Sequence, residues 1–437
     1  PRGVRQGCVL SPTLFSLFIN QLAKHVSESG RHGIQLMPGL MELFILLFAD
    51  DITLISTTPG GLQNQLDCLK QCCTNLKLEV NIAKTKIMVF RKGGFLSKIE
   101  SWKYDGTKIE VVNEYCYLGF VFSTMLSHKI GTNHLVSKGK KAVFNLCRLL
   151  QQLKEMNKNT FFKIFDSKVQ SILLYSSEVW GLSRLESIEK VHLLACKRFL
   201  GVPIRTPNKM IYSELGRFPL HINSSVRAVK YWFRVLQLTP DRLPNQAYQM
   251  LLNLDSNGKD NWVSGIRHIL SNCGFYHVWL QQGVGYVQCF LKVLKCRLMD
   301  FFKQEWYATV RDSNRYELYR LFQTEFAQEN YIVDIDVYCF RVALSHLRLG
   351  VLPINSNMHR YTENASARNC FICIDKIENE NHFIYECLLY TDLRERFLNN
   401  RPRSLVSLLQ TKDSSKLRSL AKYIHYAMER RKQMVIL

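Results

Sequence analysis

Leu43-Phe44-Ile45-Leu46-Leu47-Phe48-Ala49-Asp50-Asp51-Ile52-Thr53-Leu54-Ile55 is the stretch whose pattern fixes the rest of the reading. Apolar and β-branched runs flank an alanine and two adjacent aspartates, so the pattern predicts a hairpin with a carboxylate pair at its tip. An isolated Asp-Asp in a loop is ordinarily a solvated turn. Here strands on both sides tie the pair to buried surface, where an uncompensated carboxylate is costly. Neighbours along a strand point to opposite faces. One aspartate would therefore be a principal metal ligand and the other a supporting one, and their oxygens suit Mg2+ or Mn2+.

Working outward, Ser11-Pro12 reads as a helix start, and Leu14, Phe15, Leu17, Phe18, Leu22 and Val26 recur at helical spacing up to a stop at Ser29-Gly30. Thr58-Pro59-Gly60-Gly61 turns the chain into a second helix, striped by Leu62, Leu66, Leu69, Cys73 and Leu76. Residues 86–90 and 115–122 are predicted strands. Up to about Phe122 the order is that of an α+β domain. Beyond it, helical periodicity recurs at 135–156, 160–180, 185–200, 222–238, 287–308 and 315–328, with polar linkers expected at 255–260 and 353–368. Trp180, Phe199 and Trp232 are read as core.

The chain has 437 residues, and its 58 Lys+Arg against 36 Asp+Glu give a formal charge of +22, which asks for a polyanionic partner. A hydrophobic content of 47% excludes a disordered class. The longest apolar run, Leu43 to Ala49, is too short for a membrane span. Fourteen cysteines are too dilute for a disulfide scaffold. Cys147, Cys196 and Cys339 stand singly among apolar neighbours, as small buried hydrophobes do. With no charged-then-apolar leader in view, the expected setting is reducing, in nucleus and cytoplasm.

Phe48-Ala49-Asp50-Asp51 resembles the aromatic-x-Asp-Asp box of reverse transcriptases, in the form found in non-LTR (LINE/jockey-like) retrotransposons. Arg5-Gln6-Gly7-Cys8-Val9-Leu10-Ser11-Pro12 resembles that family's preceding block. Asn81, Lys84 and Thr85 match its Asn-x-x-Lys-Thr block, and Tyr117-Leu118-Gly119 its primer-grip turn. The four occur in the family's order across roughly residues 1 to 125. The resemblance implies part of a right-hand polymerase palm at 1–125, a helical thumb or connection at 126–255, a further helical region at 256–352, and a small metal-binding segment with a basic helical tail at 353–437. It implies Asp50 and Asp51 as ligands of catalytic Mg2+ or Mn2+ in a two-metal nucleotidyl transfer, and Lys84 as a helper of the leaving phosphates. Arg5, Gln6, Gly7, Phe48 and Ala49 would lie along the incoming nucleotide, and Tyr117, Leu118 and Gly119 would hold the primer. The partners implied are an RNA template, a DNA primer and deoxynucleoside triphosphates, with no membrane.

Lys138, Lys140, Lys141 and Arg148 cluster on a predicted helix with Val143, Phe144, Leu146 and Leu149 as its apolar side, suited to tracking a phosphate backbone. Cys370, Cys373, His382 and Cys387 have the spacing Cys-x2-Cys-x8-His-x4-Cys, four ligands fit for a closed Zn2+ site that orders a small segment. The spacing, and the Tyr390-Thr391-Asp392-Leu393-Arg394 that follows, resemble the C-terminal Cys-Cys-His-Cys segment of the same elements. So do Leu347-Arg348-Leu349-Gly350 and His359-Arg360-Tyr361. Lys412, Lys416, Arg418, Lys422, Arg430, Arg431 and Lys432 make a basic tail, consistent with nucleic-acid contact or with a solvated helix.

The family carries a further palm aspartate upstream of the Arg-Gln-Gly block. The expectation is therefore a fragment, without fingers or first aspartate, that is inactive alone. A non-catalytic RNA- or DNA-binding protein derived from such an element is the second reading, and a degenerate copy without function the third.

Overall fold

The computed structural model describes residues 7–28, 33–36, 42–91, 94, 97, 100–153, 155–182, 186–399 and 404–436; Arg5, Gln6 and the predicted helix stop at Ser29-Gly30 lie outside these. The chain forms two compact units, one of Pro1–His134 with Tyr231–His268 and one of Leu135–Lys230 with Ile269–Leu437.

In the first unit, α1 (Ser11–Glu28) buries Ile19, Leu22 and Val26 along one stripe. Short strands β1 (Ile34–Gln35) and β2 (Glu42–Leu43) pair antiparallel ahead of the hairpin of β3 (Ile45–Phe48) and β4 (Asp51–Leu54). Ile45, Leu47, Ile52 and Leu54 pack against a core supplied by α1 and α2 (Pro59–Leu76). Register and the two-residue strand period put Phe48 and Asp51 on the opposite face, with Leu46 and Thr53. Thr58 starts α2 by accepting from the Gly61 N–H at 3.1 Å, with Pro59 preset for the first turn.

Four short strands follow, β5 (Lys86–Ile87), β6 (Lys103–Tyr104), β7 (Thr107–Lys108) and β8 (Glu110–Val111), then β9 (Glu114–Tyr117) and β10 (Phe120–Ser123). β5 pairs parallel with β8; β6 with β7 and β9 with β10 are hairpins. The strand expected at 86–90 is thus shorter, and that at 115–122 is folded in two. Leu118 and Gly119 both have positive φ, +47° and +84°, the condition for the tight hairpin turn whose twist matches its strands. A long helix, α3 (Lys129–Leu153), comes next.

The described residues of the second unit are predominantly helical. Phe161, Phe162, Phe165 and Phe199 form an aromatic core, and Trp180 is buried as expected; in the first unit so is Trp232. The expected helix over 160–180 is interrupted by a π-turn at Phe165–Val169 and a turn at 174–176. Two arginines fasten distant segments. Arg341, fully buried on the Phe199 ring at 4.1 Å, donates through Nη1 to the carbonyls of Met156, Ile335 and Asp336. Arg348 pairs with Glu214 at 3.1 Å and Glu329 at 2.9 Å, and donates to the Leu409 carbonyl at 2.7 Å. The Leu347-Arg348-Leu349-Gly350 motif is thereby given a packing role.

Two expectations fail. Cys196 is buried, but Cys147 is half-buried and Cys339 exposed. Residues 353–368 are not a free linker: Asn355 donates from its N–H to Glu378 at 2.7 Å and from its amide to the Asn369 carbonyl at 2.6 Å, and Asn357 donates to Glu380 at 2.8 Å. The polarity that suggested a linker is used in internal hydrogen bonds. Among the described residues, no helix is long and apolar enough to cross a membrane.

Candidate active site and candidate metal centre

The turn between β3 and β4 is Ala49-Asp50, and Phe48 faces Asp51 as the last pair of the ladder. Asp50 therefore sits in the turn and Asp51 opens a strand, so the two carboxylates leave the backbone differently, as one principal and one supporting ligand require. Both are exposed, as is Phe48 at 60%. Among the described residues, no ion pair joins either aspartate to a cation, so their oxygens are open to a hard metal ion. Ala49 is held at φ +51°, a left-handed conformation that alanine rarely adopts. Such strain persists only where the surroundings over-determine it.

Lys84 lies in a turn organised by Asn81, whose carbonyl accepts from the N–H of Lys84 at 3.2 Å and of Thr85 at 3.0 Å. The Asn81 side chain also accepts from Lys84 N–H, and Thr85 Oγ1 donates to the Asn81 carbonyl at 2.9 Å. The turn thus uses the side chains of Asn81 and Thr85 and only the backbone N–H of Lys84. The Lys84 side chain is exposed. Tyr115, on β9, donates to the Lys84 carbonyl at 3.3 Å and so ties this turn to the Tyr117-Leu118-Gly119 hairpin. Those two blocks are brought together; among the described residues, no ion pair links Lys84 to Asp50 or Asp51. Gly7 has φ +83° and nothing within 4 Å of an added Cβ, so its backbone is open to close approach.

Residues 1–122 match the family described as reverse transcriptase (RNA-dependent DNA polymerase). The chain is 24% identical over 201 residues to the RNA-directed DNA polymerase from mobile element jockey of Drosophila funebris, covering 45% of this chain and 21% of that protein. It is 23% identical over 212 residues to the jockey polymerase of Drosophila melanogaster, covering 46% and 22%. It is also 27% identical over 184 residues to an uncharacterised transposon-derived protein of Caenorhabditis elegans, covering 42% and 64%. The segment is similar to the jockey-like, non-LTR reverse transcriptases; the chain spans about a fifth of the jockey polymerases' length.

Outside the reverse transcriptase segment, α3 presents Lys138, Lys140, Lys141 and Arg148 to solvent. Its buried stripe is Leu135, Val136, Gly139, Val143, Leu146 and Leu150. Phe144 and Leu149, expected on that stripe, are exposed instead. The inward position is taken by Gly139, where an added Cβ would lie 2.4 Å from Leu173 Cδ2. With Leu135, Gly139, Val143, Leu146 and Leu150 facing inward, Phe144 and Leu149 are turned outward among the cations.

The C-terminal cluster is assembled. One ligand atom each from Cys370, Cys373, His382 and Cys387 lies within 4.8 Å of the others. The Cys370 and Cys387 sulfurs are 3.8 Å apart, the separation that a tetrahedral zinc with bonds of about 2.3 Å imposes. The x4 gap has a structural cause. His382–Glu386 is a π-turn in which Cys387 N–H donates to the His382 carbonyl at 2.8 Å, so residues five apart are stacked over one another. The buried His382 Nε2 has no hydrogen-bond partner among the described residues, while Nδ1 faces Glu386 at 3.4 Å. That is the arrangement of a metal-binding histidine with a carboxylate behind it. Burial, and then the neighbouring thiols Cys370 and Cys373, push the Cys387 thiol up to about 12. A dication among them would reverse that, because thiolate is the binding form. The donor set fits zinc.

Glu386, which the sequence reading missed, carries a local signal: it follows His382 by four residues. The support for the knuckle has none. Arg431 pairs with buried Glu378 at 2.7 Å, Tyr423 donates to the Phe383 carbonyl at 2.6 Å, and Arg394 donates to the Cys387 carbonyl at 2.6 Å. Phe383 and Ile384 are fully buried, as expected for residues under the metal. The basic tail is corrected accordingly. Arg430 pairs with Asp392 at 2.5 Å, Arg418 donates to the Asp334 carbonyl at 3.0 Å and Lys432 pairs with Glu429 at 2.7 Å; Lys412, Lys416 and Lys422 are exposed. His359 is outside the four-ligand group.

Proposed function

We propose that the chain handles nucleic acid as part of an RNA-directed DNA polymerase, with Asp50 and Asp51 as ligands of Mg2+ or Mn2+. The observation that carries this is two exposed carboxylates, with no ion pair among the described residues, at the tip of a hairpin inside the segment that matches reverse transcriptases. The ion would supply a lowered pKa for an attacking 3′-hydroxyl and charge neutralisation of a departing pyrophosphate. Phe48 and Ala49, with Arg5, Gln6 and Gly7, would border the nucleotide; Lys84 would donate charge or a proton to its phosphates. Tyr117, Leu118 and Gly119 would position the primer on an RNA template, and Lys138, Lys140, Lys141 and Arg148 would meet its phosphates. Zn2+ would be held by Cys370, Cys373, His382 and Cys387, in a role of ordering the segment. The divisions 1–125, 126–255, 256–352 and 353–437 as palm part, thumb or connection, helical region and metal segment, and a setting in nucleus and cytoplasm, belong to the same proposal.

The test is Mn2+ binding to the full chain, followed by paramagnetic relaxation of solvent water. Asp50→Ala with Asp51→Ala should abolish a site that His382→Ala leaves in place; equal Mn2+ binding by the doubly substituted chain would sink the assignment. A second reading, a non-catalytic nucleic-acid-binding protein, is favoured by the exposed cations of α3, which need no metal. Under it, Asp50→Ala leaves RNA affinity unchanged and no Mn2+ site is found at the tip.

A further inference from the structure

A cavity in the second unit gathers carboxylates in a chain that is otherwise strongly basic. It has a volume of about 180 Å3 and is lined from the helices Glu186–Leu200, Asn208–Leu215 and Val287–Asp312. That is below the size range of sites for drug-sized ligands, so it suits one small group. Trp180, Tyr212 and Phe302, all buried, are its aromatic walls, and Tyr212 and Phe302 meet edge to face with centroids 5.3 Å apart.

Three carboxylates, Glu186, Glu189 and Glu305, share this lining with Lys209 and His221 among the described residues. In a chain of formal charge +22, carboxylates gathered beside aromatic walls favour a cation over phosphate. Glu189 is fixed in place: it accepts from Tyr212 Oη at 2.6 Å and from Leu220 N–H at 2.7 Å, and it faces His192 Nδ1 at 2.7 Å. Glu186 and Glu305 are exposed at the rim.

The cavity also shows what it can hold. Lys209 Nζ sits 4.3 Å over the Phe302 ring and 3.2 Å from Glu305 Oε1, an ammonium placed on an aromatic face against a carboxylate. The 180 Å3 is space beyond the atoms of that lysine. Apolar Leu174, Ile188 and Pro219 complete the wall and suit an alkyl stem.

We propose that this cavity binds an alkylammonium group, the chemistry shared by a lysine side chain and a polyamine end. The ligand's methylene stem lies on the apolar wall and its charge is met by the rim glutamates and the aromatic faces. Lys209 is the built-in competitor for the same partners.

Calorimetric titration of the full chain with N-acetyl-lysine N-methylamide, its trimethylated form and spermidine tests this. Saturable binding is expected, weakened about tenfold in a Glu186→Gln, Glu305→Gln chain and tightened several-fold by Lys209→Met. Preference for the lysine amides assigns the site to a protein tail; equal or tighter binding of spermidine assigns it to a polyamine. The Trp180 indole N–H resonance should shift with each titration, a readout that needs no substitution. No saturable binding by any of the three probes, or affinities unmoved by both sets of substitutions, overturns the proposal.

Discussion

The tip at Ala49–Asp51 and the knuckle at Cys370–Cys387 both gather metal-binding groups, and they are built in opposite ways. At the tip, two carboxylates stand in solvent with no cation beside them among the described residues, on a turn strained at Ala49. In the knuckle, two buried sulfurs and a half-buried one converge, one histidine nitrogen has no partner among the described residues, and a buried ion pair stands behind them. An open pair of hard oxygen ligands suits an ion that must exchange ligands during a reaction. A closed soft set suits an ion that stays. The difference teaches that ligand type and support agree: one site is set for turnover, the other for permanence.

The contrast can be broken most forcefully at the knuckle's support. Glu378→Ala leaves Arg431 buried without its carboxylate and should cost about 3–5 kcal/mol in urea unfolding, with loss of bound zinc. A knuckle that keeps its metal and stability after this change would show that the ligands alone hold it. A smaller effect is expected from Glu386→Gln, which weakens orientation of the His382 ring. Zinc affinity should fall about 10–100-fold in a chelator competition while unfolding in excess zinc is unchanged.

At the tip the sign reverses. Ala49→Gly relieves a left-handed alanine, offset by glycine's greater freedom when unfolded, and should stabilise the first unit by about 1 kcal/mol or less. Loss of stability on this change would mean that Ala49 is not strained. The smallest effect is expected at Asp392, whose carboxyl is held down at about 2 by the hydrogen bonds and charge of Arg430. Because the folded value lies below the unfolded one, near 3.9, this stabilisation is complete above that pH and is lost as pH falls through 2. The pair is exposed, so Asp392→Asn should flatten the fall of Tm between pH 4 and 2 by an amount worth less than about 1 kcal/mol.

What could be read from the chain was what local pattern carries. The β3–β4 hairpin announces itself through period-two apolar runs around a short turn, and the knuckle ligands through their spacing. Glu378 and Arg431 are 53 residues apart, and Arg348 and Glu214 are 134 apart, so neither pair leaves a periodic trace. The exposure of Phe144 depended on which stripe of its helix meets the rest of the second unit, and at Gly139 that stripe meets Leu173 of another helix. The polar stretch at 353–368 misled for a related reason: asparagines that look solvated in sequence are bound to Glu378, Asn369 and Glu380.

The position of Arg431 has a consequence for truncation. The helix Ser414–Ile436 follows all four ligands along the chain, and the residues that close the knuckle, Tyr423, Arg430 and Arg431, lie on it. A product that stops at residue 410 owns all four zinc ligands yet leaves Glu378 buried without its arginine. Metal retention by such a product therefore reports how far the knuckle depends on a helix that supplies none of its ligands.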